Sequence, residues 1–537
     1  MSIQSIFESI KPVSTVDLLI LIFATFISTY IFNFYYKYYT RPNPLPGPLP
    51  LPFIGNAHNQ GTDIKKFYQE CQQKYGDICE LMLDRRYIIL SRPDYIKKLC
   101  APAQFFQRLP DSPGSVELGM HNHGLFFNED QNRWNRNRQF FTDVLSSKFI
   151  DASIITIHKI YEEMDDYWKS LGKQNTSKKD NDDNNNWTLE TDFSAWFHGF
   201  INDVTSVLST GKRTYSIASY YNTLSINKSE HPDALVEDGN NFVNACVKFL
   251  ESLLFFSFFS PFARNYIPIL RGKSKDYSNN RDYLFEKLDS IIKKRRIEIE
   301  ERPETRAQTD MLTSLITTET VAEGENFNPM TDLDIRMNLV DAFLGGSNTS
   351  ANLFCFITYY LCKHPNVKEK MLSEIDSIIS KSSDKSYLSC DNLRKLKYCE
   401  AIIKEASRLV SPIPFVFRHT ITECEVGGYI WPAGTDFQIN FEGAHYHPES
   451  WGNPKIFDPD RFYKNDGDND RSAWMPFGGG KRICPGKNLA TIANLLLMVS
   501  VYKNYNVELV NEHEPLKTFS QIATTCTELK VRISPRT

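Results

Sequence analysis

The chain has no C-x-x-C pair, no surplus of positive charge and no strand followed by G-x-G-x-x-G, and each absence removes a class of function. Eleven cysteines scattered from Cys71 to Cys526 are an odd number without the dense spacing of a disulfide scaffold. Reduced thiols facing the cytosol are expected, most of them small buried hydrophobes. Lys and Arg total 61 against 65 Asp and Glu, and a net charge of -4 offers no electrostatic footprint for nucleic acid. Without a glycine-rich strand-to-helix turn the sequence offers no sign of a nicotinamide or flavin site of its own. What is present is apolar: 37 Phe, 26 Tyr and 41% hydrophobic residues, enough for a large core and a buried apolar site.

From Leu18 to Tyr36 the sequence carries no charge, and a helix of that length, at about 1.5 Å per residue, nearly crosses a hydrocarbon core of roughly 30 Å. Its aromatic end, followed by Lys37 and Arg41, reads as an uncleaved single-pass anchor with a cytosolic body rather than a cleavable signal. Prolines at 42, 44, 46, 48, 50 and 52 then forbid helix and favour a stiff spacer. Residues 1–40 are read as anchor, 41–56 as hinge and 57–537 as one body.

Within the body, Ile64, Phe67, Tyr68, Cys71 and Tyr75 recur at helical spacing, and Ile78 to Ser91 reads as a hairpin turning near Asp84 and Arg85. Most of the remaining chain is helical in pattern to about residue 412, after which 418–440 again reads as strands. Residues 172–186 are polar and of low complexity, a solvated loop. The aromatic stretch 252–262 is either buried core or a surface that dips into lipid or lines an entrance. A single helix is expected from about Leu333 to Tyr360, apolar nearly all round, with Gly345 and Gly346 making room for a ligand at its backbone.

The chemistry concentrates in FGGGKRICPG, residues 477–486, directly before a helix-length apolar run. A cysteine there faces the positive end of the helix and its free N–H groups, which lower a thiol's pKa and favour the thiolate a metal requires. Glycines 478–480 permit turns closed to other residues, and Gly486 lets backbone lie against a flat cofactor.

This loop resembles the haem loop of the cytochrome P-450 family, F-x-x-G-x-R-x-C-x-G, matched by Phe477, Gly480, Arg482, Cys484 and Gly486. The resemblance implies that Cys484 is the axial ligand of a haem iron and that Arg482 pairs with a haem propionate. Trp134 and Arg138 match the family's W-x-x-x-R and would share a propionate, and Arg418 sits where another propionate contact often lies. Glu405 and Arg408 match E-x-x-R, with Arg461 of FDPDRF completing a Glu-Arg-Arg cluster that supports the loop. In the long helix GGSNT matches A/G-G-x-D/E-T, so that Thr349 carries the hydroxyl that aids proton delivery. The acidic position holds Asn348, an amide that orients water but cannot release a proton as an acid does.

By the same resemblance, residues 57–537 form one haem-thiolate catalytic domain, mainly α with a minor β lobe, preceded by one transmembrane helix. The implied function is a monooxygenase that inserts one atom of O2 into an apolar or amphipathic small molecule, fed by an NADPH-dependent flavoprotein reductase at the endoplasmic reticulum. Lys481 and Lys487 would present a basic face to that partner. Two rivals stand beside it: a haem-thiolate enzyme that rearranges peroxides without dioxygen or reductase, and a haem sensor without turnover.

Overall fold

A computed structural model describes residues 14–59, 63–83, 85–100, 103–110, 112–176, 187–317, 330–380, 389–464 and 471–536. Helix α1 (Thr15–Tyr39) starts at Ser14, whose side chain accepts the Val16 N–H. It is long and apolar enough to cross a membrane, and none of its apolar core is buried in the protein.

The proline-rich segment is a docked strip rather than a free spacer. Its carbonyls meet donors across the first sheet: Glu80 N–H to Pro46 at 3.0 Å and the Arg86 guanidinium to Pro42 and Asn43, each at 2.6 Å. Asn43 Nδ2 donates to Ile430 at 2.6 Å.

Helix α2 (Ile64–Tyr75) buries the stripe Ile64, Phe67, Tyr68 and Cys71. The hairpin β1 (Ile78–Met82) and β2 (Arg86–Leu90) follows as expected; Asp84 in its turn lies outside the described residues. Helices α3 (Gln131–Val144) and α4 (Ser147–Thr176) come next, then β3 (Leu189–Asp192) leading into α5 (Phe193–Thr210). The expected loop at 172–186 needs correction: α4 runs on to Thr176, because the buried series Met164, Trp168 and Leu171 keeps the helix on the core; residues 177–186 lie outside the described residues. Helix α6 (Gly239–Phe258) buries Leu253, Phe255 and Phe256, whereas Phe262, Tyr266 and Ile269 beyond Pro261 are exposed, so the aromatic stretch divides between core and surface. Pro261 starts a new short helix, where its missing N–H costs nothing.

After α7 (Pro268–Glu301), the long central helix also needs correction. It is two helices, α8 (Asp332–Ser347) and α9 (Thr349–Lys363), meeting at Asn348. Helix α10 (Lys397–Leu409) precedes β4 (Phe415–His419), β5 (Cys424–Val426), β6 (Tyr429–Trp431) and β7 (Asp436–Asn440). Helix α11 (Lys487–Asn504) leads to β8 (Tyr505–Leu509), β9 (Lys517–Ser520), β10 (Thr524–Glu528) and β11 (Lys530–Pro535).

The first sheet has the order β1-β2-β7-β4, with only β2 and β7 parallel, and a second sheet the order β3-β11-β8. One apolar core joins α4, α5, α9, α10 and α11 around Trp168, Trp196 and Phe354; another joins α6, α7 and α8 around Phe249, Leu288 and Phe343. The helix junction at Asn348 therefore falls between two cores, where a break costs little packing.

Candidate haem site

The loop before α11 folds around its glycines. Gly478 and Gly480 take φ of +72° and +64°, a region a Cβ disfavours, and Cys484 N–H returns to the Phe477 carbonyl at 2.9 Å. Gly479 passes close to the chain before it: a Cβ there would come 3.0 Å from that of Cys100. Gly486 caps α11, and the N–H groups of Gly486 and Lys487 point at the Cys484 sulfur.

All eleven cysteines are free, and Cys484 alone among them is exposed. Yet protein surrounds this sulfur: burial pushes its thiol up, outweighing the two amides and the charges of Arg138 and Arg108 that act to lower it. The expected lowering by the helix end is thus reversed by desolvation. The sulfur is thus both accessible and closely surrounded by protein.

Four arginines gather beside it. Arg482 is buried and donates to the carbonyls of Phe106, Leu125 and Asn128 at 3.0, 2.7 and 2.6 Å, with Glu129 3.8 Å away. Arg138 donates to Ile483 O at 2.6 Å, and Trp134 Nε1 to Leu125 O at 3.2 Å, so the two arms of W-x-x-x-R meet different carbonyls. Arg418 on β4 is buried and donates to its neighbour's carbonyl, Phe417, at 2.8 Å. Arg108 escaped sequence reasoning. Its Nη1 donates to Phe126 O at 3.2 Å, its Nε is buried without a partner, and burial beside Arg418 pushes its pKa down to about 10. No local motif marks it; only the fold collects it with Arg418 and Arg482.

At the central junction Thr349 Oγ1 donates to the Gly345 carbonyl at 2.8 Å, the bond to its own preceding turn. The two glycines serve different ends. A Cβ on Gly346 would lie 3.0 Å from Thr205 of α5, a packing constraint, whereas the nearest group to one on Gly345 is the Phe126 ring at 3.8 Å. Only Gly345 therefore fits the expectation of ligand room. Asn348 and Ser350 are both buried.

The family model "Cytochrome P450" matches residues 45–533. The chain belongs to the cytochrome P-450 family. Cytochrome P-450 3A18 of Rattus norvegicus is 24% identical over 481 residues, covering 88% of this chain and 88% of its own. The beta-amyrin 6-beta-monooxygenase of Solanum lycopersicum is 29% identical over 250 residues, 47% of this chain and 50% of its own. The crystal structure of the cytochrome P450DA heme domain superposes with a TM-score of 0.73 at 18% identity, over 92% of this chain and 98% of that one. As a cytochrome P-450 the protein is an oxidoreductase of the monooxygenase type, and its cofactor is haem held by a cysteine thiolate.

The chain's residues fit that group. Among the described residues, Glu129 and Asp341 are the carboxylates that act most on Arg108, Arg418 and Arg482, and the orphaned Arg108 Nε is a donor awaiting an acceptor. A cationic surplus in a low dielectric is stabilised by anions such as two propionates. A thiol that burial keeps protonated becomes thiolate once a metal cation binds.

The Glu-Arg-Arg cluster forms as the sequence implies, and it grips this cytochrome P-450's cysteine loop. Glu405 and Arg408 make a two-armed pair at 2.7 and 2.8 Å, Arg461 Nε reaches Glu405 Oε1 at 3.3 Å, and Asp458 N–H adds a fourth donor at 2.9 Å. Arg408 continues to His445 O at 2.8 Å; His445 Nε2 accepts Met475 N–H at 3.0 Å, and Met475 O receives Gly478 N–H at 3.0 Å. Burial and the Arg408 charge push His445 down to about 3, so this ring is a neutral acceptor at physiological pH. Trp474 Nε1 gives the loop a second hold on α10 through Lys404 O at 3.0 Å.

Proposed function

We propose that this cytochrome P-450 inserts one atom of O2 into an apolar or amphipathic small molecule, with Cys484 as the haem ligand and electrons from a separate NADPH-dependent flavoprotein reductase. The observation that carries the reading is the single accessible cysteine, walled in by protein and faced by surplus cations. When bound, the haem supplies oxygen activation, promoted by electron donation from the thiolate. Arg108, Arg418 and Arg482, with Arg138 and Trp134, would hold its propionates, and Phe477, Gly480 and Gly486 would shape the loop that carries its ligand.

Apolar lining supports the substrate class. Leu125, Phe126, Ala342 and Ile522 are half-buried around one core, and Thr524 N–H joins the last of these segments to Pro412 at 2.8 Å. A relative named for beta-amyrin fits the same class. Helix α1, with Lys37 in its last turn and Arg41 just beyond, supports a single-pass anchor in the endoplasmic reticulum with the body cytosolic. Lys487 lies over the rings of Trp474 and Phe477 at 5.8 and 6.0 Å, a basic spot beside the cysteine loop for an acidic reductase.

Thr349 and Asn348 position water at the helix junction. Thr349→Ala is expected to shift reducing equivalents from product to hydrogen peroxide several-fold, and Asn348→Asp to shift them back toward product, both read as peroxide formed per NADPH consumed. Purified protein with a flavoprotein reductase and NADPH should consume oxygen, faster with an apolar substrate present. Turnover of a hydroperoxide without reductase, or bound haem with no oxygen uptake, would replace this reading by a peroxide-rearranging enzyme or a sensor.

A further inference from the structure

Two of the cations beside Cys484, Arg108 and Arg482, face an acid that the ion-pair cluster does not use. Asp341 lies buried on α8, seven residues before the break at Asn348 and so on nearly the same helical face. Its Oδ2 accepts the backbone N–H of Leu125 and that of Phe126, the second at 3.3 Å, while its Oδ1 is buried without a partner. Gly124 makes the approach possible: at φ +63° it turns the chain so that successive amides converge on one oxygen, and a Cβ there would strike Asp341 Oδ2.

The pinned residues form a wall facing the central helix. The Phe126 ring faces Gly345, and the Leu125 carbonyl accepts from both Trp134 and Arg482. We propose that Asp341 is a positioning residue whose carboxylate clasps residues 124–126 to the central helix and so sets the gap between Phe126 and Gly345. The clasp rests on the haem reading only for what the wall encloses.

Arg108 from the segment after Phe105 and Arg482 from the cysteine loop face this carboxyl; Glu129 stands between those arginines, and His123 and Asp334, 3.0 Å apart, pair with each other nearer the start of α8. Burial pushes Asp341 up to about 7, against the two amides and both arginines. Above that pH the oxygen holds charge-assisted bonds; below it a neutral carboxylic acid accepts more weakly. The wall therefore tightens as pH rises through neutrality.

Hydrogen exchange on the haem-loaded full chain, about one unit below and above pH 7 and corrected for intrinsic chemistry, tests this in the parent and in Asp341→Asn. Protection of the Leu125 and Phe126 amides should rise roughly tenfold across that range in the parent, and stay low and flat in the variant. The affinity for 4-phenylimidazole, read at the Soret band, should follow pH in the parent only. Equal protection at both pH values in the parent overturns the proposal, as does a pH profile that survives the substitution. Should the variant fail to load haem, the parent's profile decides alone. A spectrum without thiolate ligation beside an intact profile would sink the haem reading and leave the clasp standing.

Discussion

Cys484→Ser should abolish the red-shifted Soret band of the reduced carbon monoxide complex and with it reductase-driven oxygenation. The substitution changes one atom on an accessible side chain that fills no core, so the apoprotein should lose no more than about 0.5 kcal/mol and keep its far-ultraviolet circular dichroism. What it removes is the soft, electron-rich donor, since a serine hydroxyl stays protonated where burial already holds even the thiol up. Fold and function should therefore separate cleanly. Retention of the red-shifted band in the serine variant would place the ligand elsewhere, and absence of haem from well-folded parent protein would end the reading altogether.

Glu405→Gln is expected to act the opposite way, through the fold. Glu405 and Arg408 are both 0% exposed, and the carboxylate answers two guanidinium groups and one amide. Neutralising it leaves buried positive charge short of a partner, a loss of about 3 to 5 kcal/mol. Urea unfolding should show it directly, and haem content should fall with it, because the path from Arg408 through His445 to Met475 carries the strain into the cysteine loop. Arg408→Lys should not rescue: an ammonium cannot keep both carboxylate arms and also reach His445, Pro454 and Ile456. Glu400→Gln one turn away, whose pairs with Lys397 and Lys404 are half exposed, is the control and should change stability by about 0.5 kcal/mol or less. Similar losses at both glutamates would show that the cluster carries no special load.

Contiguous features were legible before any fold was known. The spacing from Phe477 to Gly486 is local chemistry, with glycines where φ turns positive and a helix directly after. The hairpin at Ile78 to Ser91 and the helix from Ile64 follow from periods of two and 3.6 alone. Features made by distant pairing were not. Arg108 is an unremarkable arginine until β4 and the cysteine loop bring Arg418 and Arg482 beside it. Gly346 is explained only by Thr205 on another helix, and the break at Asn348 by the two cores that it separates. The sulfur's environment also depended on depth: the helix end was visible in the sequence, the desolvation that outweighs it was not.

The docked proline strip bears on solubility. In the order β1-β2-β7-β4 the outer side of β1 is an open edge, with backbone groups ready to accept another strand. The strip covers that position through the Pro46 carbonyl, and six prolines in eleven residues leave it five backbone N–H groups where an ordinary strand of that length has eleven. A strand arriving from a second molecule would meet a partner with fewer than half the usual donors. The residues that follow helix α1 thus cover the sheet edge against edge-to-edge association.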